Sequence, residues 1–245
     1  MQDLIKDLIM AGVKWELSDN SVGFMEDLVA IKTPARTRVA SVVPPISPIS
    51  SADFDTVNAM ASRPTTIDAL IRMISEFNHP LRSGVSNVVV PMVAKNPNGL
   101  IVITDIPSSD DDASGRIMSG ASGELLDKML AAIGMSREIV SISPMLFWRT
   151  PGGRTPSRIE IDLSRPFLNR FIELTEPRVI LTLGTLVANE ICGIDLMRNH
   201  GAETILSSGV HAFSIYHPNY LLLKPTAKAD VWAVLQLVQN LLKNS

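Results

Sequence analysis

Leu100–Gly134, LIVITDIPSSDDDASGRIMSGASGELLDKMLAAIG, decides how the rest of the chain is read. Leu100–Thr104 is a short apolar, β-branched run, the pattern of a strand buried on both faces. An acidic turn and a glycine-bearing loop follow, and Gly120–Ile133 then places apolar residues at helical spacing. The same alternation continues outward. Strands are expected at Ile139–Ser143, Val179–Leu183 and Val210–Ile215, with helices at Ile161–Thr175, Leu186–Ile191 and Ala227–Leu242. Short apolar strands alternating with amphipathic helices form right-handed crossovers. The expected fold is therefore α/β: a three-layer α/β/α sandwich around a central four-stranded parallel sheet. In such a sheet the loops leaving the carboxyl ends of the strands converge on one crevice, where ligands bind.

Upstream of this core, Leu4, Ile5, Leu8 and Ile9 repeat at helical spacing over Asp3–Gly12. Thr33–Pro64 is rich in Pro, Ser, Thr and Ala and reads as an extended linker. Thr65 or Thr66 then caps a helix through about Glu76, with Ile67, Leu70, Ile71 and Ile74 on one face. The expected organisation is an N-terminal helical segment over 1–32, a Pro/Ser-rich linker over 33–64 and one domain over 65–245. The N-terminal helix is a candidate site for a protein partner.

A net charge of −3 gives no global attraction for nucleic acid, so any DNA contact has to come from a local patch. No apolar run reaches the ~18 residues of a membrane span. The first residues lack the order of a secretory signal. A soluble, cytoplasmic monomer is expected. Cys192 is the only cysteine, which excludes internal disulfides and any four-cysteine metal or iron–sulfur site. No metal and no other cofactor is expected.

The crevice draws its chemistry from two loops. Asp105 follows the first strand, and Asp110, Asp111 and Asp112 lie just beyond it. His217 opens His217-Pro218-Asn219-Tyr220-Leu221-Leu222 directly after the last strand. Asp105 reads either as a functional carboxylate or as a turn aspartate bonding local amides before Pro107. The acidic run reads either as a source of a second carboxylate, Asp111, or as a solvated charge run.

These segments resemble the uracil-DNA glycosylase superfamily, most closely its family 4 branch. That family carries a GEAPG loop, then E-D, then PFVG leading into a helix ending L-L-D-x-M-L-x-x-I-G, and later H-P-S-Y-L-L. Leu146–Pro156 matches its aromatic-basic loop, and Pro177–Gly184 its P-x-V-I-x-x-L-G. The resemblance runs from about Gly99 to Asn244. It implies hydrolysis of the N-glycosidic bond of uracil in DNA, in base excision repair. Such enzymes extrude the nucleotide from the stack and stabilise a cationic sugar and an anionic base.

On that resemblance Asp105, Asp111 and His217 are the catalytic candidates, with His217 at the pyrimidine oxygen that gathers charge. Ile106, Met118 and Ser143 fall at base-binding positions. Arg116, Arg149, Arg154 and Asn219 are candidate phosphate contacts, and Leu222, with Leu221 and Leu223, a candidate wedge. DNA, single- or double-stranded, is the implied partner. Several positions depart from the family. The uracil-stacking Phe is Met118, the uracil-reading Asn is Pro144, and GEAPG has become Thr104-Asp105-Ile106-Pro107-Ser108. Family 4 members commonly hold a four-iron cluster on four cysteines, and the equivalent positions fall near Glu76, His79, Trp148 and Ser164. A competing expectation is a weak or inert DNA-binding or scaffold protein on the same frame. A small-molecule hydrolase would lack a nucleophile elbow or phosphate loop here.

Overall fold

The computed structural model describes residues 51–244. The expected helix at Asp3–Gly12 and the first part of the expected linker lie outside the described residues. The described chain runs α1 (Ser51–Ala61), α2 (Ile67–Glu76), β1 (Leu100–Thr104), α3 (Ser109–Ser114), α4 (Gly120–Ala132) and β2 (Ser141–Pro144). It continues α5 (Arg158–Thr175), β3 (Val179–Leu183), α6 (Thr185–Cys192), β4 (Glu203–Ile205), β5 (His211–Ile215), α7 (Pro218–Leu223) and α8 (Lys228–Asn244). Among these helices none is long and apolar enough to cross a membrane.

The sheet order is β2-β1-β3-β5-β4. The four expected strands are parallel to one another, and β4 adds a short antiparallel edge beside β5. β4 was not expected, because three residues, two of them exposed, leave too little apolar pattern to read.

Period-two alternation sorts each strand between two cores. Leu100, Val102, Val179, Leu181, Leu183, Phe213 and Ile215 face a core closed by α4, α7 and α8. Ile101, Ile103, Ile180 and Ala212 face a second core closed by α1, α2, α5 and α6. Both faces of the sheet are covered, so β1 and β3 are buried along their whole length.

Helix starts follow local chemistry. The Thr66 hydroxyl accepts the Ala69 N–H to cap α2. Ser157 and Glu160 form a capping box on α5, and Ser108 and Asp111 form one on α3. The linker expectation is corrected at its end. Residues 51–61 are helical, with Val57 and Ala61 buried in the second core. The prolines that argue against a helix, Pro48 and Pro64, bracket this segment rather than interrupt it. The Arg170 guanidinium donates twice to the Pro64 carbonyl, at 2.9 and 2.8 Å, and ties the segment to α5.

Candidate active site

The parallel register fixes where the loops emerge. Thr104 pairs with Pro144 on one side and Leu183 on the other, and Leu183 pairs with Ile215. The segments beginning at Asp105, Met145, Gly184 and Tyr216 therefore leave from one edge of the sheet. His217 is the N-cap of α7, with Pro218 as its first residue, so the expected His-Pro turn is the start of a six-residue helix. Its Nδ1 accepts the Asn219 N–H at 3.1 Å. A nitrogen that accepts carries no proton, so the proton sits on Nε2, which donates to Thr104 Oγ1 at 3.0 Å. Burial pulls the imidazole down to a pKa of about 4, with the nearby Asp111 carboxylate pulling the other way. His217 is a neutral hydrogen-bond donor at neutral pH.

Asp105 lies next to Thr104 and turns toward α6, where its carboxylate accepts the Val187 N–H at 2.8 Å. A Cβ at Gly184 would sit 2.1 Å from the Asp105 carboxylate, and Gly184 has φ +114°, so only glycine allows this approach. Burial raises the Asp105 carboxyl to about 6, opposed by the N–H groups of Val187 and Leu186.

Asp111 is buried rather than part of a solvated run. Its Oδ2 accepts the Ser108 N–H at 3.0 Å, and its Oδ1 accepts the Ser119 N–H and hydroxyl at 2.6 and 2.7 Å. Asp112 binds the N–H groups of Ser86 and Asn87. Of the three consecutive aspartates only Asp110 is exposed.

The structure brings His217, Thr104, Asp105 and Asp111 to the same strand ends. The other expected residues are placed less directly. Ile106 is half-buried at the margin of the second core. Ser143 is buried and donates its hydroxyl to the Pro144 carbonyl. Met118 is 2% exposed, its side chain packed in the first core, and its backbone sits at φ 51°. That left-handed conformation is unusual for a side chain of this size. Its carbonyl is held by Arg137 Nη2 at 2.7 Å and is packed so closely on α4 that no side chain fits at Gly123.

Arg116 is exposed and Arg149 half-buried. Arg154 is half-exposed and ion-paired. Its guanidinium is engaged by both oxygens of the buried Glu160 carboxylate, at 2.9 and 2.5 Å. Asn219 is exposed, and its backbone N–H serves His217. Of the three leucines, Leu221 is core, Leu222 is 44% exposed and Leu223 is 86% exposed, so Leu223 stands furthest out. Sequence reasoning missed Thr104 and Arg137. Thr104 had a usable signal, an alcohol closing an otherwise apolar strand beside Asp105. Arg137 had none, since besides its ion pair with Asp127 its partners are the backbone carbonyls of Ile117, Met118 and Gly123.

The positions equivalent to the cluster cysteines do not fit an iron–sulfur cluster. The His79 ring lies flat on Trp148, with centroids 4.2 Å apart and planes 2° apart. Its Nε2 donates to the Glu160 carbonyl at 3.0 Å and its Nδ1 accepts the Leu81 N–H at 3.2 Å. Ser164 donates to the Met145 carbonyl, and Glu76 is exposed at the end of α2. The space is packed and its donors are committed. The chain's thiol is elsewhere, at Cys192, where burial pushes it up.

The family model of the uracil DNA glycosylase superfamily matches residues 91–239. A type-4 uracil-DNA glycosylase of Archaeoglobus fulgidus is 31% identical over 150 residues, covering 58% of this chain and 75% of that protein. One from Pyrobaculum aerophilum is 28% identical over 152 residues, covering 58% and 76%. One from Thermotoga maritima is 30% identical over 146 residues, again covering 58% and 76%.

Proposed function

The chain belongs to the uracil DNA glycosylase superfamily, and from that premise we propose that it hydrolyses the N-glycosidic bond of uracil in DNA as a step of base excision repair. The observation that carries the reading is His217: a half-buried, neutral imidazole at a strand end, its single N–H on a defined nitrogen. As the C1′–N1 bond breaks, its electron pair leaves with the base and the charge spreads onto the pyrimidine oxygen. A preorganised N–H aimed at that oxygen stabilises the departing anion without giving up its proton.

Asp105 acts on the sugar side. Its carboxylate, ionised above about pH 6, stabilises the cationic sugar and orients the water that adds to C1′. DNA is held by the local cations Arg116 and Arg149 and by the exposed tip of α7, where Leu222 and Leu223 supply the apolar wedge. Asp111 supports the site by fixing the loop between β1 and α4 through Ser108 and Ser119.

A second reading, a catalytically weak or inert DNA-binding protein, is favoured by one observation. The polar groups of His217, Asp105 and Asp111 already hydrogen-bond within the protein. Incubation with a uracil-containing oligonucleotide followed by alkali separates the two. Strand breaks at uracil and none in a thymine control support the enzyme, whereas retention of the oligonucleotide without breaks supports the binding protein.

A further inference from the structure

We propose that Thr104 is the positioning residue for His217, holding the imidazole at the strand ends as the neutral Nε2–H tautomer. The inference rests on the glycosylase reading above and adds to it a residue that touches neither base nor sugar. Two hydrogen bonds, one at each ring nitrogen, fix the ring. The Asn219 N–H, two residues along the chain, claims Nδ1 at 3.1 Å. Thr104 Oγ1, 113 residues away in sequence, receives the proton of Nε2 at 3.0 Å. The first bond selects the tautomer and the second selects the direction in which the proton points.

Thr104 suits the task because of where it sits. It is the last residue of β1, is 1% exposed, and is paired in register with Pro144 and Leu183 on its two sides. Its branched side chain has few rotamers, so the acceptor oxygen is fixed by a buried strand paired on both sides. The charged group acting on the ring is Asp111, whose carboxylate favours protonation. A threonine hydroxyl holds the N–H in place without adding a charge. When a pyrimidine oxygen enters the crevice, the same N–H turns to it from a ring already oriented, so little ordering remains to be done in the transition state.

Thr104→Val keeps the shape and removes the acceptor, and Thr104→Ser keeps the acceptor. At saturating single-stranded uracil oligonucleotide, Thr104→Val should excise uracil about tenfold more slowly, the size of one lost hydrogen bond. The dissociation constant for the oligonucleotide should stay unchanged. Thr104→Ser should recover the rate to within a few-fold. An independent arm follows the imidazole by nitrogen-edited NMR in the free protein. The wild type and Thr104→Ser should show a protected Nε2–H resonance for His217 that is lost to solvent exchange in Thr104→Val.

Equal rates for the valine variant and the wild type would overturn the proposal, as would a serine variant as slow as valine. An Nε2–H resonance unchanged by Thr104→Val would also overturn it. If the wild type excises no uracil, loss of that resonance still upholds the hold of Thr104 on the ring, and only the glycosylase reading fails. Melting temperatures of both variants within a few degrees of wild type show that the comparison is made between folded proteins.

Discussion

Two histidines of this chain use the same local device for opposite ends. His79-Pro80-Leu81 and His217-Pro218-Asn219 each place a proline after the histidine and return the N–H of the residue beyond it to Nδ1. In each, Nε2–H then donates to an oxygen distant in sequence, and burial lowers the pKa to about 4. The difference lies in the surroundings. His79 is 1% exposed, stacked on Trp148, and bonded to a helix carbonyl that is itself fixed. His217 is half-buried at the strand ends and bonded to a side-chain hydroxyl. On the proposed function the first neutral N–H braces the fold and the second serves the chemistry.

The brace extends further. Phe77 packs on Phe167 and Trp148, and Glu160, whose carbonyl receives His79, gives its carboxylate to Arg154. Burial alone would push the Glu160 carboxyl up, but hydrogen bonds from Arg154 and Ser157 outweigh it and hold the group below its ordinary range. The brace has one flaw, since the Trp148 indole N–H is buried without an acceptor.

Exchanging the two histidines for alanine breaks or upholds this comparison with the largest effects. His217→Ala should slow uracil release about 10²–10³-fold, the size of removing one anion-stabilising donor. Its stability should fall by about 1 kcal/mol at most, and binding to undamaged strands should stay unchanged. His79→Ala should do the reverse. It should lose about 2–4 kcal/mol in urea unfolding, as expected for truncating a stacked core ring, and below its transition should cleave within a few-fold of wild type. If both variants lose activity and stability in parallel, the two sites are not distinct.

Acid sensitivity should be next in size. His79 and His217 have folded pKa values near 4, below the unfolded 6.5, so their contribution is complete above 6.5 and is lost as pH falls through 4. Asp105 has its carboxyl raised from 3.8 to about 6, so its contribution runs the other way and is lost as pH rises through 6. Among these three groups, two protons taken up by the unfolded chain against one by the folded chain leave a net loss on acidification, and His200, also lowered by burial, acts in the same direction. Stability should fall by at least about 1.4 kcal/mol per pH unit between pH 6 and 4. His79→Phe, which preserves the stack, should flatten that slope. An unchanged slope in the phenylalanine variant would show that His79 is not held neutral.

The smallest effect separates the arginines. Arg154→Gln should cost about 1 kcal/mol of stability and leave DNA affinity unchanged, since its guanidinium belongs to Glu160. Arg116→Gln should leave stability unchanged and reduce the slope of log affinity against log salt by about 1. Salt titrations of binding to an undamaged oligonucleotide decide it.

How much of this was legible in the sequence follows from the range of the interactions. β1 and β3 match their expected limits to the residue, because each is an apolar run between sharp breakers, Gly99 and Pro107 for one and Pro177 and Gly184 for the other. α1 was hidden by the prolines around it, and α7 by the proline that begins it. His217 and Asp105 were visible because they sit at strand ends within a recognisable order. Their commitments were not, since Thr104 and Val187 lie 113 and 82 residues away. The His79–Trp148 stack was equally invisible, because it depends on which loops the closed core brings together.

The central claim is that neutral His217 and ionised Asp105 together release uracil, and the pH dependence of single-turnover excision tests it most directly. With enzyme in excess over a uracil-containing single strand, the rate should rise as Asp105 ionises near pH 6 and then hold level to pH 8. Asp105→Asn should remove that rise. No uracil release at any pH would contradict the claim, and so would a rate that falls as pH increases through 6 to 7, the mark of an imidazolium at work.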